Sequence, residues 1–216
     1  MAVQRYSTDG FCYSECLKRY DGAWQNIATA KRFDGNEWID LLGRPENTVV
    51  TYEMTDGETY WNSGSRDSQS VNADSLIQGT WNGSVSSARR SLMWFDDQMY
   101  SDASRREIAN VEIFIKRENS THGNAGKANL HLKMHNYTAK PSTWTGQDLG
   151  GAASVIKLSR GESGWFSLNE DFIEAVNSGS RYSIALDADR SESMSDYCRI
   201  VRTGADKPKI RITYEG

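Results

Sequence analysis

Alternation of apolar and polar residues is the feature that most restricts how this chain folds. Leu130, Leu132 and Met134 alternate with His131 and Lys133, which places the apolar side chains on one face of an extended strand. Similar short runs recur between turns rich in Gly, Asn and Ser, at the spacing of strands in an all-β domain. The predicted strands are 76–81, 91–95, 108–116, 128–135, 154–158, 163–167, 182–186, 199–201 and 209–214.

One predicted helix interrupts these strands, at 168–179. Asn169 is suited to cap its first turn, Phe172 and Val176 share an apolar face, and Gly179 is suited to end it. Roughly eight strands and one short helix over roughly 140 residues are typical of a sandwich of the jelly-roll type. We therefore predict an all-β chain with a C-terminal jelly-roll β-sandwich that contains one short helix.

Two nearly identical phrases precede this domain, Lys18–Trp24 (KRYDGAW) and Lys31–Trp38 (KRFDGNEW), with a fainter copy at 5–11. A period of about thirteen residues suits a strand, a turn and a second strand. Asp-Gly pairs favour hairpin turns, because Gly adopts positive φ freely and Asp tolerates it. We expect a small β-hairpin repeat segment that is marginal alone and attaches the chain to a larger particle. The candidate attachment residues are Arg19, Tyr20, Trp24, Arg32, Phe33 and Trp38.

Changes in composition divide the chain into three predicted parts. The hairpin repeats occupy 1–43, a linker with a short strand occupies 44–75, and the jelly roll occupies 76–216. Pro45 marks the first boundary, because the residue before a proline is disfavoured in a helix. Inside the linker, the Asp-Gly pair at 56–57 reads as part of a degenerate fourth copy of the repeat.

Charge and hydropathy exclude several classes of protein. The net charge of -4 and the pI near 5.5 are unsuited to general nucleic-acid binding, which needs a basic face. No apolar run approaches the roughly 20 residues that cross a membrane, and the first residues lack the apolar segment of a signal peptide. We expect a protein that is made and folded in a cytoplasm, with no nucleic-acid or membrane partner.

The cysteines and histidines predict neither a disulfide framework nor a metal site. The three cysteines are an odd number, and Cys12 and Cys16 lack both the two-residue spacing and the nearby histidine of a zinc site. His131 and His135 are about 13 Å apart along a strand, too far to share a metal, and we expect them to be solvated or at an interface. We expect no metal and no cofactor.

Catalytic patterns are also missing from the sequence. It has no Gly-x-Ser-x-Gly elbow, no phosphate-binding loop and no His-Glu-x-x-His motif. Asp96 and Asp97 are neighbours at a predicted strand and should point to opposite faces, so they are poor partners for glycoside hydrolysis. Glu170 and Asp171 suit the positive end of a helix. We therefore expect no enzymatic activity and no catalytic residue.

Several phrases of the C-terminal domain occur in a recognisable order: QGTWNG at 78–83, SLMWF at 91–95, IANVEIFIKR at 108–117, LSRGESGWFSL at 158–168 and KIRITYEG at 209–216. This order resembles a jelly-roll module common in tail and fibre proteins of bacteriophages. The N-terminal phrases resemble the aromatic-Asp-Gly-x-Trp repeats of tail-associated proteins from phages that infect Gram-positive bacteria. The resemblance implies a structural protein of the virion, with other virion proteins as partners, a homo-oligomeric state, and a sandwich suited to host-surface glycans. It supplies no catalytic motif.

A sugar-binding site needs a flat aromatic ring for the apolar face of a sugar and planar polar groups for its hydroxyls. Trp144 is the leading aromatic candidate, because its sequence neighbours are small and polar. The alternative is that Trp144 caps one end of the sandwich or packs against another subunit, and we assign Trp94 and Phe95 to the core. The candidate carbohydrate-binding residues are Trp144, Tyr137, Asn136, Trp81 and Asn82.

Three functions follow from these patterns. The favoured one is a tail- or fibre-associated virion protein, anchored by its N-terminal repeats, whose jelly roll binds host cell-wall glycans. The alternatives are a purely structural head-decoration or tail-adaptor subunit that binds no sugar, and, less favoured, a hydrolase of cell-wall polysaccharide. Exposure of the candidate aromatic residues around a groove would favour the first function, and their burial in subunit contacts would favour the second.

Overall fold

The computed structural model describes residues 18–20, 24–26, 31–33, 38–40, 47–69, 73–120, 126–178, 183–188 and 196–215. The chain divides into two compact units, the first containing residues 1–46 and the second containing Asn47–Glu215. Strands dominate the described part of both units, and the two short α-helices found there both lie in the second. The predicted all-β class is therefore confirmed.

The first unit contains two antiparallel hairpins. Their strands are β1 Lys18–Tyr20, β2 Trp24–Asn26, β3 Lys31–Phe33 and β4 Trp38–Asp40. In both hairpins the aromatic residue that ends the first strand pairs with the Trp that begins the second, Tyr20 with Trp24 and Phe33 with Trp38. Each copy of the doubled phrase therefore places the same aromatic–Trp pair at the end of a strand pair. The Asp-Gly turns and the fainter copy at 5–11 lie outside the described residues.

The second unit contains ten described strands and two helices. The strands are β5 Thr48–Trp61, β6 Ser75–Gln78, β7 Arg89–Phe95, β8 Ile108–Lys116, β9 Ala128–His135, β10 Leu149–Leu158, β11 Ser163–Ser167, β12 Ser183–Leu186, β13 Cys198–Val201 and β14 Lys209–Tyr214. The helices are α1 Gln98–Ala103 and α2 Glu170–Asn177.

The strand order is that of a jelly roll. Eight strands form one sheet in the order β10-β9-β12-β7-β5-β14-β8-β11, and β6 pairs with β13. A bridge between Arg117 and Ile200 links β13 to the chain just after β8. One set of neighbouring strands is therefore β7-β12-β9-β10, which are the second, seventh, fourth and fifth strands counted from β6. The other set is β6-β13-β8-β11, which are the first, eighth, third and sixth strands. These are the two sheets of an eight-stranded jelly roll, which confirms the predicted sandwich.

β5 joins the two halves of the sheet, and it corrects the predicted domain boundaries. Its residues 48–53 pair with β14, and its residues 54–61 pair with β7. The linker predicted over 44–75 is therefore wrong where β5 lies, because this strand belongs to the folded unit. The Asp-Gly pair at 56–57 is inside the strand, since Asp56 and Gly57 both pair with β7, opposite Trp94 and Met93.

One hydrophobic core lies between the two halves. Val111, Ile113 and Ile115 of β8 are fully buried, as their alternation predicts. They belong to the same cluster as Leu130 and Leu132 of β9, which alternate in the same way. Burying each such side chain stabilises the fold by about 1.5–3 kcal/mol relative to leaving it exposed, so this core holds the two halves together.

α2 matches the predicted helix, and α1 is an addition to the prediction. Asn169 Oδ1 accepts a hydrogen bond of 3.1 Å from the Phe172 N–H, and Phe172 and Val176 are fully buried. Gly179, the predicted C-cap, lies outside the described residues. α1 has only six residues and two buried side chains, which is too short a pattern for its period to show in the sequence.

Candidate functional site

A cleft of about 460 Å³ lies at the end of β7. Four chain segments come together there: the middle of β5, the end of β7 with the start of α1, the loop after β9, and the start of β12. They bring aromatic, acidic, basic and hydroxyl side chains into one concave surface. The lining residues are Thr55, Asp56, Trp94, Phe95, Asp96, Asp97, Tyr100, Tyr137, Thr138, Ala139, Lys140 and Ser183.

Trp94 and Tyr137 form an aromatic wall of the cleft, and both are half-buried. Trp94 Nε1 donates a hydrogen bond of 2.7 Å to the Tyr137 carbonyl, which ties the strand to the loop. Tyr137 Oη donates to Asp148 Oδ2 at 3.0 Å. Burial, together with the Asp148 carboxylate, raises the pKa of Tyr137 to about 12, so this hydroxyl stays protonated. Both rings are therefore held in place before any ligand arrives.

His135 supports this wall from behind. Its ring lies edge-on to Trp94, with 5.3 Å between ring centroids, and it is fully buried. Nε2 donates to the Met93 carbonyl at 3.0 Å, and Nδ1 accepts from the Tyr137 N–H at 3.2 Å. Burial lowers the pKa of His135 to about 4, so the ring is neutral near pH 7. The expectation that His135 is solvated or at an interface is wrong, because the following loop folds back over this end of the strand.

A β-bulge shapes the side of the cleft that β5 contributes. The register with β7 shifts between Met54 and Asp56, and Asp56 lies opposite Trp94. Thr55 Oγ1, in the bulge, donates to the Trp94 carbonyl at 3.2 Å. Bulges re-aim side chains, and this one places a carboxylate and a hydroxyl beside the aromatic wall. Lys140 reaches across from the loop, with Nζ 2.8 Å from Asp56 Oδ1.

Asp96 and Asp97 follow the end of β7 and also line the cleft, where both are exposed. Asp96 Oδ1 accepts a hydrogen bond of 2.9 Å from the Gln98 N–H. Asp97 is the residue before α1, and its side chain makes no capping bond. The expectation that these two carboxylates point to opposite faces of a strand is wrong, because the strand ends at Phe95 and both residues line one surface.

Trp144 lies outside the cleft and is fully buried. Its indole Nε1 donates to the Gln147 carbonyl at 3.0 Å, and its ring meets Tyr60 edge-on at 5.6 Å. It packs with Leu92 and Ala185 on the outer face of the sheet. Trp144 has no exposed face for a sugar, so its prediction as a sugar contact is wrong. The residues next to Trp144 in sequence are polar, whereas the residues that it packs against in the fold are apolar.

Trp81 and Asn82 lie at the other end of β7. Gly79 bridges to Arg89 at the start of this strand, roughly 20 Å from its end at the strand's rise per residue. Trp81 is 49% exposed. Asn82 Oδ1 accepts from the Ser84 N–H at 3.0 Å, and so holds its own loop. These two residues therefore do not form one site with Tyr137.

Of the predicted sugar-binding residues, only Tyr137 lines the cleft. Asn136 is exposed beside it but is not part of the lining. Sequence reasoning missed Trp94, which it placed in the core with Phe95. The signal was present, because Trp94 alternates with the buried Met93 and Phe95 and so faces the other side of the sheet. The unbroken apolar run around it hid that alternation.

An aromatic wall with hydroxyl and carboxylate groups beside it is the chemistry that binds sugars. In the described ranges, His, Cys, Asp and Glu side chains nowhere gather in threes as a metal site would need. Both described helices are too short to cross a bilayer. The chain matches no protein-family model, and no curated protein is significantly similar to it.

Proposed function

We propose that this chain is a structural protein of a bacteriophage virion whose jelly roll binds host-surface glycans in the cleft beside Trp94. The observation that carries the proposal is the half-buried aromatic wall of Trp94 and Tyr137 in the cleft, next to Asp56 and Lys140. The virion assignment is supported by the ordered resemblance to phage tail and fibre modules, together with the jelly-roll topology. Residues 1–43 serve as the attachment segment to other virion proteins.

The cleft suits a ligand that is recognised and released without reaction. The apolar face of a sugar ring stacks on Trp94, while Thr138, Lys140 and the carboxylates exchange hydrogen bonds with its hydroxyls. The wall is rigid before binding, because Trp94 Nε1 and His135 both bond to the backbone around Tyr137. A preorganised site loses little conformational entropy on binding, which favours useful affinity from a small contact.

The test is binding of the full chain to cell-wall glycans of Gram-positive bacteria, with Trp94→Leu and Trp81→Ala compared as matched variants. We expect Trp94→Leu to weaken binding at least about tenfold, a loss of about 1.4 kcal/mol, because it removes the stacking surface. Trp81→Ala removes an exposed Trp outside the cleft and should bind like the parent chain. Equal binding by the parent chain and Trp94→Leu would refute the cleft as the glycan site.

The same preparations distinguish binding from hydrolysis. We expect no release of reducing ends from cell walls during incubation with the chain. Release that Asp96→Asn or Asp97→Asn abolishes would replace the proposed function with the hydrolase alternative.

The purely structural alternative has one observation in its favour. Val155 is 55% exposed on β10, which is an edge strand of the sheet in the described structure. Edge strands with exposed apolar side chains pair readily with other chains. A chain that assembles into particles but retains no cell-wall glycan, with or without Trp94, would support this alternative.

A further inference from the structure

The charges that line the cleft are unbalanced. Three lining residues are carboxylates, Asp56, Asp96 and Asp97, and one is a cation, Lys140. The lysine is already matched, because Nζ lies 2.8 Å from Asp56 Oδ1 and 3.4 Å from Glu58 Oε2. Asp56 also lies 3.8 Å from Arg202 Nη2, so the excess negative charge that the cleft presents to a ligand comes from Asp96 and Asp97.

Asp97 is the carboxylate most open to a ligand. It is exposed at the cleft, and its side chain does not cap α1. Across the described ranges, its carboxylate takes part in no hydrogen bond or ion pair. Asp96 has one oxygen engaged by the Gln98 N–H, and among the described residues its second oxygen makes no hydrogen bond or ion pair. A ligand amine is the group that would satisfy these acceptors.

The aromatic wall favours the same kind of ligand for a separate reason. An ammonium group over the face of Trp or Tyr is attracted by the negative face of the ring. Trp94 and Tyr137 are half-buried, so part of each ring is available to such a group. The wall and the carboxylates therefore act in the same direction, although one attraction comes from ring electrons and the other from formal charge.

We infer that the cleft selects glycans that carry a protonated amino group, that is, deacetylated amino sugars, over neutral or N-acetylated ones. This inference rests on the proposed function, because it names the ligand class of the same cleft. The sugar ring stacks on Trp94 and its ammonium group lies against Asp97. Acetylation removes the charge and two of the donor hydrogens, so the N-acetylated sugar keeps the stacking contact and the hydroxyl hydrogen bonds but loses the charge attraction to Asp97.

Three β-1,4-linked tetrasaccharides that differ only at carbon 2 test this directly: those of glucosamine, N-acetylglucosamine and glucose. Each is titrated into the full chain by calorimetry at about pH 6, where an amine with a pKa near 8 is charged. We expect the glucosamine tetramer to bind at least about tenfold more tightly than the other two. That advantage should shrink as salt rises from about 0.05 to about 0.5 M, because the carboxylates are exposed.

Asp97→Asn is the variant that isolates the charge. It should weaken binding of the glucosamine tetramer at least about threefold, roughly 0.7 kcal/mol, and leave binding of the N-acetylated tetramer unchanged. Glu174→Gln is the matched control, since Glu174 is an exposed carboxylate on α2 outside the cleft. It should change neither affinity.

The outcomes separate this inference from the proposed function. Equal or weaker binding of the glucosamine tetramer, or no effect of Asp97→Asn, overturns the selection for amino sugars. If cell-wall glycan binding still depends on Trp94 in that case, the proposed function stands. If none of the three tetramers binds, but binding to cell-wall glycans still depends on Trp94, the inference is also wrong. If binding to cell-wall glycans does not depend on Trp94, the proposed function itself is overturned.

Discussion

Trp94 and Trp144 contact the same apolar cluster, yet one forms a wall of an open cleft and the other is sealed inside. The cluster consists of Tyr60, Leu92 and Ala185 on the outer face of the sheet. Trp144 is fully buried there, whereas Trp94 keeps part of its ring exposed. In sequence the two look reversed, because Trp94 sits in an apolar run and Trp144 among small polar residues. The comparison shows that exposure is decided by the segment that covers a side chain, not by its neighbours in sequence.

The covering segment is the loop between β9 and β10. It is fastened to the sheet by Tyr60 Oη, which donates to the Pro141 carbonyl at 2.9 Å, and by the Trp144 N–H, which donates to the Gly64 carbonyl at 2.8 Å. Arg90 donates to the Thr145 carbonyl beneath it. These bonds close the loop over Trp144, while the start of the same loop, at Tyr137, stops beside Trp94 and leaves the cleft open.

The largest expected effect comes from truncating the two tryptophans in parallel. Trp144→Ala should lower the free energy of unfolding by about 3–5 kcal/mol, because it leaves a cavity under the loop. Trp94→Ala should cost about 1–2 kcal/mol, since its side chain is only half-buried. Urea denaturation of both variants gives the difference. An equal loss of unfolding free energy in the two variants would mean that the loop buries both side chains to the same extent.

Acidification should give the next largest effect, through the buried ring behind Trp94. Burial lowers the pKa of His135 from 6.5 to about 4. Below about pH 6.5, His135 is therefore protonated in the unfolded chain, whereas in the folded chain it stays neutral until about pH 4. This difference in protonation lowers the free energy of unfolding as the pH falls between those values, by at most about 3 kcal/mol.

Urea denaturation between about pH 7 and pH 4.5 measures this term, with His135→Gln compared with His131→Gln. His135→Gln should flatten the loss of stability on acidification. His131→Gln, which replaces the half-buried histidine of the same strand, is the matched control. A parent slope in His135→Gln would show that other groups govern the acid response.

The smallest expected effect on stability comes from deleting the hairpin repeats, which compares the jelly roll with and without the first unit. Deleting residues 1–43 should change the free energy of unfolding of the jelly roll by less than about 0.5 kcal/mol, because the hydrophobic core of the jelly roll is built from residues within Asn47–Glu215. The same deletion should abolish incorporation into particles, as measured by sedimentation with assembled virions. Incorporation of the shortened chain would show that attachment lies elsewhere.

Much of the fold could be predicted because its signals are local. The alternation in β8 and β9, the Asn169 cap of α2 and the doubled hairpin phrase each report on side chains a few residues apart. β5 could not be predicted as one strand. Its Asp-Gly pair is a turn signal, and only the pairing of Asp56, Gly57 and the residues around them with β7 overrides it.

The sequence by itself determined which face is buried in the strands that alternate, such as β8 and β9, since a period of two records burial directly along the chain. Which aromatic residues are available to a ligand was decided only by the tertiary structure. Trp94 and Tyr137 are 43 positions apart and meet through one hydrogen bond, while the remainder of the same loop buries Trp144. The physical reason is that a cleft is the space left between segments distant in sequence, and no run of neighbouring residues specifies that space.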